Sequence, residues 1–545
     1  MRSVIACFDR IRVSWSLECL AGFLGASAFL VLVFSPPAAL MVEAGQSLLA
    51  GKGAWLALAV PTGRRLGLLA GSLGLAAGVA VTGMALGLLV ASVFWHWQKG
   101  VKGWLRWSVL VLAPIPPYVH AMTWSAAFSR LSALIHGSEW PGALPEGWMV
   151  SAWVQVMALL PLAVGLALAG LDSVDVNLIE VGRTMHSDVH LLCRIVLPLA
   201  LPALAAGSGF LFLLSLTDYS VPSLFGVNVY ALEIFAEYSA SNESVNAFGL
   251  ALPLLLVAVA VVTVSQAGLR NAAQTHSWRH RAWANQPEWP GWLVGLQRMA
   301  LSLLMLQAGV LLWNLIGATG SWDNWISAVA SAGREIAYTF WLSVGAALLC
   351  LPAALAVGNE LVRSDWRGRV WWLLVTLPLA IPAPLVGIGL ISVWNRALWP
   401  DLYGSAFMPV LAGLARFAPL AVLALLPQLR RVDTLLLDAA RVIQANPLQT
   451  WLQVRLPMLA PGLLAAACVA FALTTGELGA TLIVAPPGRS TVTMRIYNYL
   501  HYGASSSVAG LCLTMAIGSL IAGSLALMAL AGWSRLLPDT GGREE

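Results

Sequence analysis

A chain of 545 residues with 59% hydrophobic and only 10% charged residues cannot hide its apolar surface in one soluble core, since ordinary globular chains carry roughly 25% charge. The composition excludes a soluble domain and points to an all-α polytopic membrane protein. The net charge of +5 follows membrane topology rather than a basic patch, so it gives no ground for expecting nucleic acid as a partner. The lipid bilayer is the partner that composition itself demands.

In chain order, Arg2, Arg10 and Arg12 precede an apolar run over 20–41. That run is too long for the roughly 7–15-residue core of a signal peptide and is expected to be an uncleaved first span. A span needs roughly 20 apolar residues, and about twelve runs qualify. In the first half they are 20–42, 66–95, 108–129, 147–171, 199–218 and 248–269. In the second they are 299–317, 337–358, 370–393, 406–428, 458–476 and 506–533. The third and ninth share proline-rich centres, Pro114-Ile-Pro-Pro117 and Pro378 to Pro384, which are expected to break the helix within the membrane. With the N-terminus inside, 21 of the 30 Lys and Arg residues fall in cytoplasmic segments. This bias predicts cytoplasmic N- and C-termini.

Two polar islands interrupt the apolar pattern, 178–198 and 437–457, each ending in a basic residue followed, directly or after two apolar residues, by a Leu-Pro step. Pro198 and Pro202 recur 259 residues later as Pro457 and Pro461, and the same shift carries Asp218 onto Glu477. The chain therefore reads as two parallel six-helix repeats, 1–269 and 299–545, joined by a cytoplasmic linker over 270–298. Each island is expected to form a helix–turn–helix lying across the cytoplasmic membrane face. Glu180 and Asp438 would open the first helices near their positive ends, Ser187 or Asp188 and Asn446-Pro447 would mark the turns, and the second helices would end at the Leu-Pro steps.

The islands resemble the EAA loop of permeases of ATP-binding-cassette importers. Asp438, Ala439, Ala440, Leu456 and Pro457 stand in register with its pattern, while Gln444 replaces its glycine. The first island is looser: Glu180 starts it, Val181-Gly182 replace the alanines, and it is one residue shorter. The stretch from Gly476 to Gly503 is similar to the iron(III)-type branch of fused permeases, which has relatives assigned to thiamine, aminoethylphosphonate and polyamines. The resemblance implies a type I ABC importer permease fold in a bacterial inner membrane. It also implies an ATPase subunit docked on each loop, as a homodimer, and a periplasmic or extracellular binding protein that delivers ferric iron or another small solute. Glu180, Gly182, Arg183, Pro198, Asp438, Ala439, Ala440, Arg441 and Pro457 are the coupling residues it points to.

Asp218, Tyr219, Glu477 and Arg416 are candidates for the pathway or its gate, because a charge in or at the end of a span is costly and needs a reason. For the two acids a solvated helix end is the competing reading. For Arg416 it is snorkelling or pairing with a neighbouring carbonyl. No catalytic motif is present: Gly45 to Gly53 has one residue too many for a phosphate-binding loop and no Ser or Thr after Lys52. No cofactor or metal is expected from the six scattered cysteines, and ATP hydrolysis is assigned to a separate subunit. The alternative function is an ion-gradient-driven secondary transporter with parallel repeats, which would need charged residues near the midplane of several spans.

Overall fold

The computed structural model describes residues 2–95, 97, 100–136, 147–275, 287–396, 400–432, 434–443, 446–500 and 506–536. All regular structure in them is helical. The first half contains α1 (Arg2–Leu49), α2 (Arg64–Phe94), α3 (Pro117–His136), α4 (Trp148–Asp172), α5 (Val176–Met185), α6 (Leu197–Thr217) and α7 (Ser244–Thr275). The second contains α8 (Gly291–Thr319), α9 (Gly333–Leu361), α10 (Trp366–Thr376), α11 (Ala383–Trp394), α12 (Met408–Arg431), α13 (Thr434–Ile443), α14 (Leu456–Thr475) and α15 (Ser506–Leu536).

Among the described residues ten helices are long and apolar enough to cross a membrane, or eleven when a pair bent by 102° is taken as one span. That pair, Trp366–Ala380 and Ala383–Trp394, is the expected ninth span, broken where its prolines leave amide donors missing. The expected third span, 108–129, is likewise not one long helix. A 3-10 turn over Val109–Leu112 is followed by a break at Ala113–Pro116 and then by α3. Of the expected linker 270–298, residues 276–286 lie outside the described residues; α7 runs to Thr275 on one side and α8 starts at Gly291 on the other.

Each half packs its second, fourth and fifth spans together: α2 with α4 and α6, and α9 with α12 and α14. Small residues bring the backbones close. A Cβ on Gly87 of α2 would lie 2.7 Å from the Ala163 carbonyl carbon of α4, so this crossing admits no side chain. The leading helix of each half, however, lies on the other half. α1 packs on α9 and α11 as well as on α7 of its own half, while α8 packs on α2 and α3 as well as on α15 of its own half.

Polar groups fix these crossed helices. On α8, Gln307 Oε1 accepts from Trp124 Nε1 at 2.7 Å and Gln307 also meets His120; Asn314 Oδ1 accepts from Arg130 at 2.9 Å. Near the far end of α1, Glu43 accepts from Ser244 Oγ at 2.6 Å, Ser392 Oγ at 3.0 Å and Arg396 at 2.8 Å. One carboxylate thereby joins α1 and α7 of the first half to α11 of the second.

Candidate functional site

The first island begins with a capped helix. Asp175 accepts from the Asn177 amide at 2.9 Å, so α5 starts at Val176. Glu180 consequently lies one turn inside the helix, exposed, rather than at its start. Gly182 is buried against the following turn, where a Cβ would come within 2.4 Å of Leu191 Cδ1. Its missing side chain is what lets α5 lie directly on the next segment. Arg183 holds Asp188 through two bonds, of 2.8 and 3.1 Å, and Asp188 Oδ2 also accepts from the Glu288 amide at 2.6 Å. The island is thus fastened to the residues that lead into α8.

The second island has the same plan. α13 carries Asp438, Ala439, Ala440 and Arg441, and again the acid stands in the helix interior, with Asp438 and Ala439 exposed. Asn446 Oδ1 accepts from the Leu448 amide at 3.0 Å and caps the Pro447–Thr450 turn. Gln444 lies outside the described residues. Arg455 donates to Asn359 of α9 at 3.1 Å.

Neither second helix ends at its Leu-Pro step, contrary to expectation. The helix runs on from Asp188 to Thr217 and from Leu448 to Thr475. The reason is a five-residue π turn in each, Leu192–Val196 and Trp451–Arg455, closed by the Leu197 amide on Leu192 O and the Leu456 amide on Trp451 O. Pro198 and Pro457 follow at the second residue of α6 and α14. The widened ladder there gives room to a residue that has no N–H and whose ring crowds the carbonyl one turn back. Each island is therefore mechanically continuous with its fifth span.

Both islands expose apolar side chains. Leu178, Val181 and Met185 are 50%, 64% and 77% exposed on α5, and Leu435, Val442 and Ile443 are 75%, 87% and 83% exposed on α13. Apolar patches of this size, outside the expected spans, are of the kind that another protein or the membrane surface covers.

At the other end of the fifth spans the four pathway candidates come together. α6 stops at Thr217, and Asp218 holds the break that follows. Its Oδ1 accepts from the Ser220 amide at 2.9 Å and Ser220 Oγ at 2.6 Å, and its Oδ2 from Gln155 of α4 at 3.3 Å. α14 stops at Thr475, and Glu477 does the same. Its Oε1 accepts from Arg416 of α12 at 2.5 Å and the Ala480 amide at 2.9 Å; its Oε2 accepts from the Thr481 amide at 2.7 Å and from the Thr481 hydroxyl.

Tyr219, 4% exposed, stacks on Phe235 with ring centroids 6.0 Å apart. It borders Gly479, where a Cβ would lie 3.4 Å from Tyr219 Cε1 and 3.7 Å from Glu477 Oε1. The proline breaks join the same junction. A Cβ on Gly476 would meet Pro116 Cγ at 2.7 Å, and one on Gly479 would meet Ala383 Cβ at 2.5 Å. Irregular backbone from both halves thus gathers in one protein-lined region, the setting in which a membrane protein tolerates it.

Two participants escape the sequence pattern. Gln155 plays toward Asp218 the part that Arg416 plays toward Glu477, but it stands six residues before Pro161 whereas Arg416 stands three before Pro419. The one-turn displacement hides the equivalence, although an amide in an apolar span was a visible signal. Glu43 is the other, since its partners lie 201 to 353 residues away. No group of three or more His, Cys, Asp or Glu is placed to hold a metal ion among the described residues.

The family profile described as "Binding-protein-dependent transport system inner membrane component" matches this chain twice, over 83–274 and 350–534. The chain is similar to the molybdate/tungstate transport system permease protein WtpB of Pyrococcus abyssi, at 29% identity over 175 residues, 32% of this chain and 69% of that one. It is 24% identical over 224 residues to the putative 2-aminoethylphosphonate transport system permease protein PhnV of Salmonella typhimurium, 40% of this chain and 83% of that one. With the molybdenum transport system permease protein ModB of Haemophilus influenzae it shares 30% identity over 198 residues, 33% of this chain and 85% of that one.

Proposed function

The chain belongs to the binding-protein-dependent transport system inner membrane component family, and from that premise we propose that it is a permease of an ATP-driven importer in which two halves are fused. An ATPase subunit, one of an identical pair, docks on each of 178–198 and 437–457, and a separate binding protein delivers the solute at the opposite end. The observation that carries this reading is that each island presents exposed apolar residues on its first helix, while its second helix runs without a break into a fifth span. A push on the island moves the break held by Asp218 or Glu477. Closure of the ATPase pair draws the islands together and shifts the bundle toward outward access; reopening returns it. Both termini lie on the ATPase side.

For the solute, the matched relatives are named for molybdate or tungstate and for 2-aminoethylphosphonate, and a small oxyanion fits this chain better than ferric iron. The two acids that could attract a cation are already engaged, Glu477 by Arg416 and two amides and Asp218 by Ser220 and Gln155. The iron reading keeps only the resemblance of Gly476 to Gly503. The gradient-driven reading is weakened in the same way, because the intramembrane pair at Arg416 is closed on itself.

The test has two arms. Asp438→Arg should leave the ATPase turning over without coupled uptake, with docking weakened by about 1–3 kcal/mol if the carboxylate makes a charge-assisted bond to the partner. Uptake of labelled molybdate into proteoliposomes should require ATP and outrun that of ferric iron. Coupled transport by Asp438→Arg, or uptake indifferent to ATP depletion, defeats the proposal; preferred uptake of iron defeats its substrate half alone.

A further inference from the structure

At the end of the bundle away from the islands, α9, the start of α12 and the loop after α14 border a cavity of about 620 Å³. Tyr338 and Trp341 line it from α9, Ala406, Phe407 and Val410 from α12 and the turn before it, and Arg489 from the loop after α14. The walls are mostly apolar and open sideways: Trp341 is 68% and Phe407 40% exposed. Aromatic residues so placed belong to the level of the lipid headgroups. Arg489 is exposed, lies with Cζ 6.0 Å from the centroid of the Tyr338 ring, and has no carboxylate in ion-pair reach among the described residues.

The matching corner of the first half carries an indole packed on α2. Trp148 stands thirteen residues ahead of Pro161, as Ala406 stands thirteen ahead of Pro419. The Trp148 indole, 42% exposed, lies against α2, and a Cβ on Gly71 would come within 2.8 Å of its Cη2. The second half has a methyl where the first has an indole, and a cation above the space that results.

We propose that this wedge binds one glycerophospholipid, with its phosphate on the Arg489 guanidinium and an acyl chain along Trp341 and Val410. A guanidinium matches a phosphate with paired N–H donors. The apolar walls take the chain that a free phosphate ion lacks. One cation suits a phosphodiester with a single charge, such as phosphatidylglycerol.

The experiment compares phospholipid retained by the full chain purified in mild detergent, measured by mass spectrometry. Arg489→Gln should weaken retention roughly ten-fold, the loss of one charge-assisted contact, and Arg489→Lys should keep most of it. Ala406→Trp, which copies Trp148, should displace the lipid with the charge untouched. Added phosphatidylglycerol should raise the melting temperature of the wild type and not of Ala406→Trp, whereas inorganic phosphate should raise neither. The proposal falls if both Arg489→Gln and Ala406→Trp retain lipid like the wild type. It also falls if inorganic phosphate stabilises as well as the lipid does, or if Arg489→Gln loses only the capture of an external protein. Should Arg489→Gln fail to fold, the wild-type titrations with the two ligands still decide.

Discussion

Asp218 and Glu477 stand at the same place in the two halves, each holding the break after a fifth span, and they are satisfied by different chemistry. Asp218 is met by neutral donors, the Ser220 amide and hydroxyl and the Gln155 side-chain amide. Glu477 is met by two backbone amides, a hydroxyl and a full positive charge on Arg416. The Glu477 side chain is 1% exposed and that of Arg416 25%, so the acid is fully committed while the arginine keeps some access to polar surroundings. A hydrogen-bonded acid can exchange partners singly. An ion pair in a medium of low dielectric yields only at the cost of both charges. The second break is thus the firmer of two otherwise equivalent points.

Glu477→Leu attacks that difference most directly and should have the largest effect. It strands Arg416 and two amides, for a loss of about 3 kcal/mol in detergent unfolding or collapse of the folded yield; stability like the wild type would mean the pair contributes nothing. Arg416→Gln gives the second half the kind of partner the first half has. About 2 kcal/mol should be lost, since the carboxylate keeps its amides. If amide exchange over residues 476–484 then quickens to match that over 218–224, Arg416 is the source of the asymmetry; exchange that stays slow would place the source elsewhere. Gln155→Leu should be mildest, at about 1 kcal/mol, because Asp218 retains Ser220. A loss as large as that of Glu477→Leu would erase the distinction.

Much of this architecture was legible in the chain. Apolar runs long enough to span could not be mistaken, and the prolines of the third and ninth spans announced their breaks because a missing N–H acts locally. The repeat made equivalent residues of Asp218 and Glu477. What stayed hidden was the pairing across distance. Arg416 was expected to reach water or a carbonyl, yet it meets a carboxylate 61 residues on, placed there by the packing of α12 on α14. The π turns were equally unannounced: Leu-Pro looked like a helix end, and only the packed chain shows the ladder widening to admit proline. Trp148 and Ala406 differ at equivalent positions, but nothing in the sequence says that one lies against α2 while the other borders a cavity.

The crossing of the leading helices sets a schedule for biogenesis. α1 is synthesised long before α9 and α11, on which it packs, and at roughly 5–20 residues per second its partners follow on the order of half a minute later. Through that interval the face that packs on α9 and α11 lacks its partners, and Glu43 has only Ser244 of α7 to meet. Joining both halves in one polypeptide guarantees that those partners arrive in the same membrane patch at equal stoichiometry, so the fused chain avoids the search that two separately made subunits would each have to complete.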